Sequence, residues 1–182
     1  MQHPAFDEFK RAFQAKEYEQ ALASIETLQI EFPHSAALLW HRANCLEKLE
    51  RYIDLPQALE AAIAKLPEHL PARIMRVEYS DWYIENAFPL LEGEDEADED
   101  NLPPEIQAVR EKREALQIEL DQRNEADLRF VLEKDAHHAQ VHFLLSNFLR
   151  GVEHHSLSAE EREQQAAELL DRAIALNPKN AD

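Results

Sequence analysis

The chain has 182 residues, 45% of them hydrophobic and 31% charged, which suits one domain with a buried core. Its 37 acidic residues against 19 basic ones give a formal net charge of −18, which repels phosphate backbones and anionic lipid, so neither nucleic acid nor membrane is an expected partner. Only two glycines, Gly93 and Gly151, are available for tight turns, too few for a turn-rich β fold or a phosphate-cradling loop, and the expected fold class is all-α.

The first residues, Met1-Gln2-His3-Pro4, carry no basic stretch followed by an apolar run, so no secretory signal is expected. No run approaches the ~20 apolar residues of a membrane span, and the expected location is cytoplasmic. The first helix is predicted over about Pro4 to Ala15, with Phe6, Phe9 and Phe13 on one face. They are expected to fill the end of the core, the alternative being an exposed stripe for self-association. A second helix, about Glu17 to Glu31, ends at Glu31-Phe32-Pro33-His34. Ser35 is a plausible cap for a third, running to about Leu49. Cys45 lies there among Leu39, Trp40, Ala43 and Leu46; as a lone thiol it has no internal disulfide partner, fits a reducing compartment, and reads as buried and inert. The fourth helix, about Asp54 to Leu66, ends at Lys65-Leu66-Pro67-Glu68, with Pro67 placed 34 residues after Pro33.

A fifth helix is predicted as one piece from about Pro71 to Phe88. Pro89 and the run Glu92-Gly93-Glu94-Asp95-Glu96-Ala97-Asp98-Glu99-Asp100 then read as a solvated loop. From Pro104 to about Lys134 neither Gly nor Pro intervenes, while Ile106, Val109, Leu116, Leu120, Leu128 and Val131 recur at helical spacing. That predicts one long helix, the alternative being two helices broken near Asp121 to Asn124. It ends at Lys134-Asp135-Ala136-His137. A further helix follows over about Ala139 to Arg150, then an enlarged loop around Gly151 to His155. Ser158-Ala159-Glu160-Glu161 is a capping box that starts the last helix, which ends at Leu176-Asn177-Pro178-Lys179.

The 34-residue period, the recurring helix endings, Tyr18 with Ala21, and Tyr52, Ala62 and Pro67 resemble the tetratricopeptide repeat, a helix-turn-helix unit that stacks into a superhelical solenoid. The resemblance implies a single domain of about four units, roughly 2–34, 35–68, 69–137 with an insertion at about 89–123, and 138–182. It also implies a concave groove lined by the first helix of each pair. Carried over residue by residue, the groove positions are Trp40, Asn44 and Lys48, then Ile74, Glu78 and Trp82, then Phe143, Asn147 and Arg150. An Asn amide both donates and accepts, so Asn44 and Asn147 suit the backbone of a bound peptide, or else they bond their own helices. Trp40 and Trp82 are the aromatic anchor candidates. The family's clamp for chaperone C-terminal carboxylates is not reproduced, since Phe6, Lys10, His41, Pro71 and Met75 stand where its cations and amides belong.

His138 and His142 lie one turn apart, but no third ligand is fixed and HExxH is absent, so no metal is expected. The acidic run lacks the order of a calcium loop. No nucleophile motif and no nucleotide-binding turn is present, so neither catalysis nor a cofactor is expected. The functional expectation is a non-catalytic adaptor or assembly factor that takes a peptide or helix of a protein partner, with the negative charge favouring a basic one. The alternatives are a chaperone for a secreted protein and a homo-oligomeric module built on helix 104–134.

Overall fold

In a computed structural model of the chain, the residues described are 3–89, 91, 94, 102–152 and 156–180. Their regular structure is all helical. Helices α1 (Pro4–Gln14), α2 (Tyr18–Glu31), α3 (Ala36–Lys48), α4 (Leu55–Lys65), α5 (Leu70–Glu78) and α6 (Ser80–Ala87) belong to a compact unit spanning Met1–Pro89. Helices α7 (Pro104–Lys134), α8 (Ala139–Gly151) and α9 (Ala159–Leu176) belong to a second, Leu90–Asp182.

The four recurrent endings share one backbone geometry. Phe32 (φ −127°, ψ 61°), Leu66 (−139°, 84°), Asp135 (−137°, 84°) and Asn177 (−141°, 75°) each close a helix. In each, the cap N–H donates to the carbonyl four residues back, on Leu28, Ala62, Val131 and Ala173. Proline explains three of them, because its ring pushes the preceding residue out of the helical region. Asp135 has alanine after it and uses its carboxylate instead, accepting the His137 N–H at 3.1 Å. At three of these turns the chain then closes on itself, with Ser35, His69 and His138 donating to the carbonyls of Phe32, Leu66 and Asp135 at 3.1, 3.0 and 3.2 Å.

Within the first two pairs a second turn recurs. Lys16 (φ 63°) and Glu50 (φ 55°), 34 positions apart, take left-handed backbone. The residue after each donates to the carbonyl five back, Glu17 to Ala12 and Arg51 to Leu46, both at 2.9 Å, which is a Schellman closure without its usual glycine.

Tight pairing follows from small residues at the crossings. Ala21, Ala43, Ala58, Ala62 and Ala72 are fully buried in the first unit, letting Leu22, Ile25, Leu28, Leu38, Leu46, Leu55 and Leu59 interlock. Each such leucine or isoleucine contributes about 1.5–3 kcal/mol by leaving water. In the second unit Ser146 holds the same role, and its buried hydroxyl donates to the Ala166 carbonyl of α9 at 2.8 Å. Ser35 caps α3 by accepting the Leu38 N–H, and the Ser158–Glu161 capping box forms with both of its bonds. Cys45 lies in the core, where burial pushes its thiol up to about 12.

Two sequence expectations about helix length resolve differently. The long helix is continuous, 31 residues from Pro104 to Lys134, so the break near Asp121 to Asn124 does not occur. The predicted helix over 71–88 is instead two, α5 and α6, parted at Tyr79 (φ −108°, ψ 8°). At this break the Ser80 hydroxyl donates back to the Val77 carbonyl at 2.9 Å.

Most of the acidic run, and His154 and His155, lie outside the described residues. Glu94 does not, and it departs from the solvated loop expected there. It is 2% exposed, accepts from Arg110 at 3.2 Å and Arg113 at 2.7 Å on α7, and also accepts the Leu91 N–H at 3.0 Å. The Arg113 hydrogen bond, then the Leu91 amide and Arg110, hold its carboxyl down to about 2.

Two outcomes follow from these turns and contacts. Lys16→Gly and Glu50→Gly should each raise the free energy of unfolding in urea by about 1 kcal/mol, because glycine relieves the left-handed strain, while Lys16→Ala should not. Glu94 is depressed below its ordinary 4.5, so its clamp is complete above that pH and is lost as pH falls through about 2. The Arg110 and Arg113 side-chain NMR signals should hold their positions through pH 4.5 and shift with a midpoint of about 2, a transition that Glu94→Gln removes.

Candidate functional site

Helices α1 and α3 leave a cleft of ≈ 300 Å³ between them, walled by Phe9 and Phe13 from α1 and by Trp40, His41 and Asn44 from α3. Phe9 and Phe13 are four apart and so stack one turn above the other, centroids 5.6 Å apart. His41 packs into this wall at 4.8 Å from Phe9, and Trp40 rests on His69 at 4.7 Å. The cleft is thus lined by aromatic rings together with polar side chains.

Of the lining residues, Lys10 is the charged one. Lys10 and Gln14 complete the lining, and the Lys10 ammonium sits 4.5 Å over the Phe6 ring. Burial first, and the Lys10 charge second, lower the His41 pKa, which keeps the imidazole neutral. Asn44 donates to the Trp40 carbonyl of its own helix at 2.8 Å. That bond engages one amide hydrogen and leaves the side-chain oxygen and the second hydrogen without a partner among the described residues.

The sequence-derived groove positions separate into distinct surroundings. Trp40 and Asn44 meet in the cleft. Lys48, one turn on, is held by Glu47 at 3.0 Å. Ile74 is buried in the core rather than facing a groove. Trp82 does not line the cleft; it is 51% exposed on α6 and stacks on Tyr52. In the second unit, Phe143 is 46% exposed on α8, and Asn147, one turn on, is exposed as well. Arg150 of the same helix pairs with Glu163 of α9 at 3.1 Å, a surface contact of small energetic weight.

His142 is occupied structurally. Its ring Nε2 faces the Ala136 carbonyl at 3.0 Å, and a carbonyl only accepts, so this nitrogen carries the proton. No cluster of three metal-ligating side chains forms among the described residues. As expected from the sequence, Phe9 lies in the core with Phe6 and Phe13 packed against it; what sequence reasoning missed is that Phe9, Phe13 and His41 also line a cleft. The signal was present in the aromatic spacing of α1, but only the folded pair shows that this face is left partly open by α3.

No known family's sequence model matches the chain, and no curated protein matches it. Solved structures similar to it include MamA RS-1 as an ArsTM double mutant, at 14% identity over 98% of this chain and 96% of that one, with a TM-score of 0.44. MamA MSR-1 C2 is 16% identical, covering 97% of both chains, with a TM-score of 0.38. YrrB, described as a TPR protein with an unusual peptide-binding site, is 19% identical over 97% of this chain and 87% of its own, with a TM-score of 0.39. The fold rests on this chain's own construction: the first two helix pairs, closed 34 residues apart at Phe32 and Leu66 with small residues at their crossings, are tetratricopeptide-like.

The His41 environment is open to measurement. Its ring protons should titrate with a midpoint below 6.5, and Lys10→Met should move that midpoint only part of the way back, since burial is the larger cause. Because the folded value is the lower one, stability contributed by neutral His41 is present above pH 6.5 and declines as pH falls below it.

Proposed function

We propose that the chain is a non-catalytic protein-interaction adaptor whose first unit receives an apolar anchor side chain of a partner polypeptide in the cleft between α1 and α3. The observation that carries this reading is the cleft's composition: three aromatic walls beside an Asn44 amide that retains unused hydrogen-bonding capacity. An aromatic slot buries an aliphatic or aromatic side chain, and the amide holds the backbone beside it irrespective of sequence. Lys48, one turn along α3, extends this surface.

In the second unit, Phe143 with Asn147 repeats the pairing of an aromatic ring and an amide four residues on, and we assign it the same kind of contact, with Arg150 at its edge. Trp82 contributes a separate aromatic surface. The chain's negative charge favours basic partners, which it would draw in by long-range attraction. No described helix is long and apolar enough to cross a membrane, in keeping with a partner met in water. Nothing in the cleft supplies a nucleophile with an activating base, so recognition rather than catalysis is its chemistry.

Short random peptides selected against the intact chain should share an apolar anchor residue. Trp40→Ala should weaken the best of them tenfold or more, about 1.4 kcal/mol and upward, and Asn44→Ala should weaken it less. Peptides that bind the Trp40→Ala chain unchanged would place recognition elsewhere. Association of basic members of the set should slow as ionic strength rises to physiological, where screening shortens to about 8 Å.

A further inference from the structure

Tyr52, in the turn between α3 and α4, stacks on two rings that the α5–α6 break brings beside it. Tyr79 lies 5.5 Å away with its plane 18° off parallel, and Trp82 lies 5.5 Å away at 29°. Tyr79 is fixed through its hydroxyl, which donates to Glu47 at 2.7 Å. Trp82 is 51% exposed although Tyr52 stacks against it, so part of its indole is open to a further contact.

This stack is bordered by carboxylates. Burial raises the Tyr52 phenol above its ordinary value, and the charges of Glu50 and Glu47 add to the effect. Burial and the Glu47 hydrogen bond raise the Tyr79 phenol, with Glu78 contributing beside them. Asp81 precedes Trp82 in α6. Lys48 is already engaged with Glu47, whereas Glu50 and Asp81 make no ion pair among the described residues. An open aromatic face attracts a cation through its ring quadrupole, and nearby unpaired carboxylates add to that attraction.

We propose that the Tyr52–Tyr79–Trp82 stack is a docking site for an arginine side chain on a basic segment of a protein partner. The planar guanidinium lies flat on the open part of the Trp82 indole and turns its N–H groups toward the bordering carboxylates. Lysine carries the charge but lacks the plane that stacks and the fork that meets a carboxylate, so arginine is preferred. The site goes beyond the cleft of the first two pairs. Both use α3, but they have no residue in common.

The test is an NMR titration of the intact chain with N-acetyl-arginine methylamide, read at the Trp82 indole N–H. A saturable shift is expected with a dissociation constant on the order of millimolar. The citrulline counterpart, which replaces the guanidinium by a neutral urea of the same shape, should bind about fivefold more weakly. Glu50→Gln, a surface change that spares the stack, should weaken the arginine compound about twofold, and Tyr52→Ala should abolish the saturable response. Trp40→Ala should leave the titration unchanged, so failure here is distinct from failure of the cleft. Equal binding of the citrulline compound, or shifts that do not saturate at Trp82, would overturn the assignment.

Discussion

The structure depends on one backbone constraint, repeated: a single residue at the end of a helix held out of helical geometry, with its N–H still bonded to the last turn. Phe32, Leu66, Asp135 and Asn177 all satisfy it, and at the first three the carbonyl of the same residue then accepts from the next helix's start. One residue thus ends a helix and aims its successor. Where the turn is this short, neighbouring helices have no choice but to lie side by side, and their crossings must be lined by alanine or serine. The cleft inherits its position from the same device, because Phe32 to Ser35 is what lays α3 against the pair made by α1 and α2.

Those turns were legible in the sequence because proline acts locally. A residue before proline avoids the helical region whatever surrounds it, so Phe32-Pro33, Leu66-Pro67 and Asn177-Pro178 could be read without a structure. Phe88-Pro89 obeys the same rule and closes α6 with the same geometry, although its place in the period gave no reason to expect a repeat ending there. The left-handed turns at Lys16 and Glu50 were not legible, since neither residue is a glycine or asparagine. The bend at Tyr79 was hidden because neither a glycine nor a proline marks it in the sequence.

The site was half legible. Trp40 and Asn44 could be named from their place in the unit, yet the walls opposite them could not, because whether Phe9 and Phe13 face core or opening depends on how far α3 covers α1. The result is a cleft whose lining carries Lys10 in a chain of strongly negative charge. The Tyr52 stack has the reverse character, with aromatic faces among carboxylates. A single partner engaging both would need to offer a neutral apolar residue to one and a cation to the other.

Glu94 changes what the acidic insertion is. At about 1.5 Å per residue, α7 is a rod some 46 Å long, and its amino-terminal half carries two guanidinium groups anchored to one carboxylate from the preceding segment. An engineer who shortened that segment as dispensable would remove the one carboxylate that Arg110 and Arg113 share. A trimmed version that keeps a carboxylate at that spot preserves the joint by which the segment grips the rod.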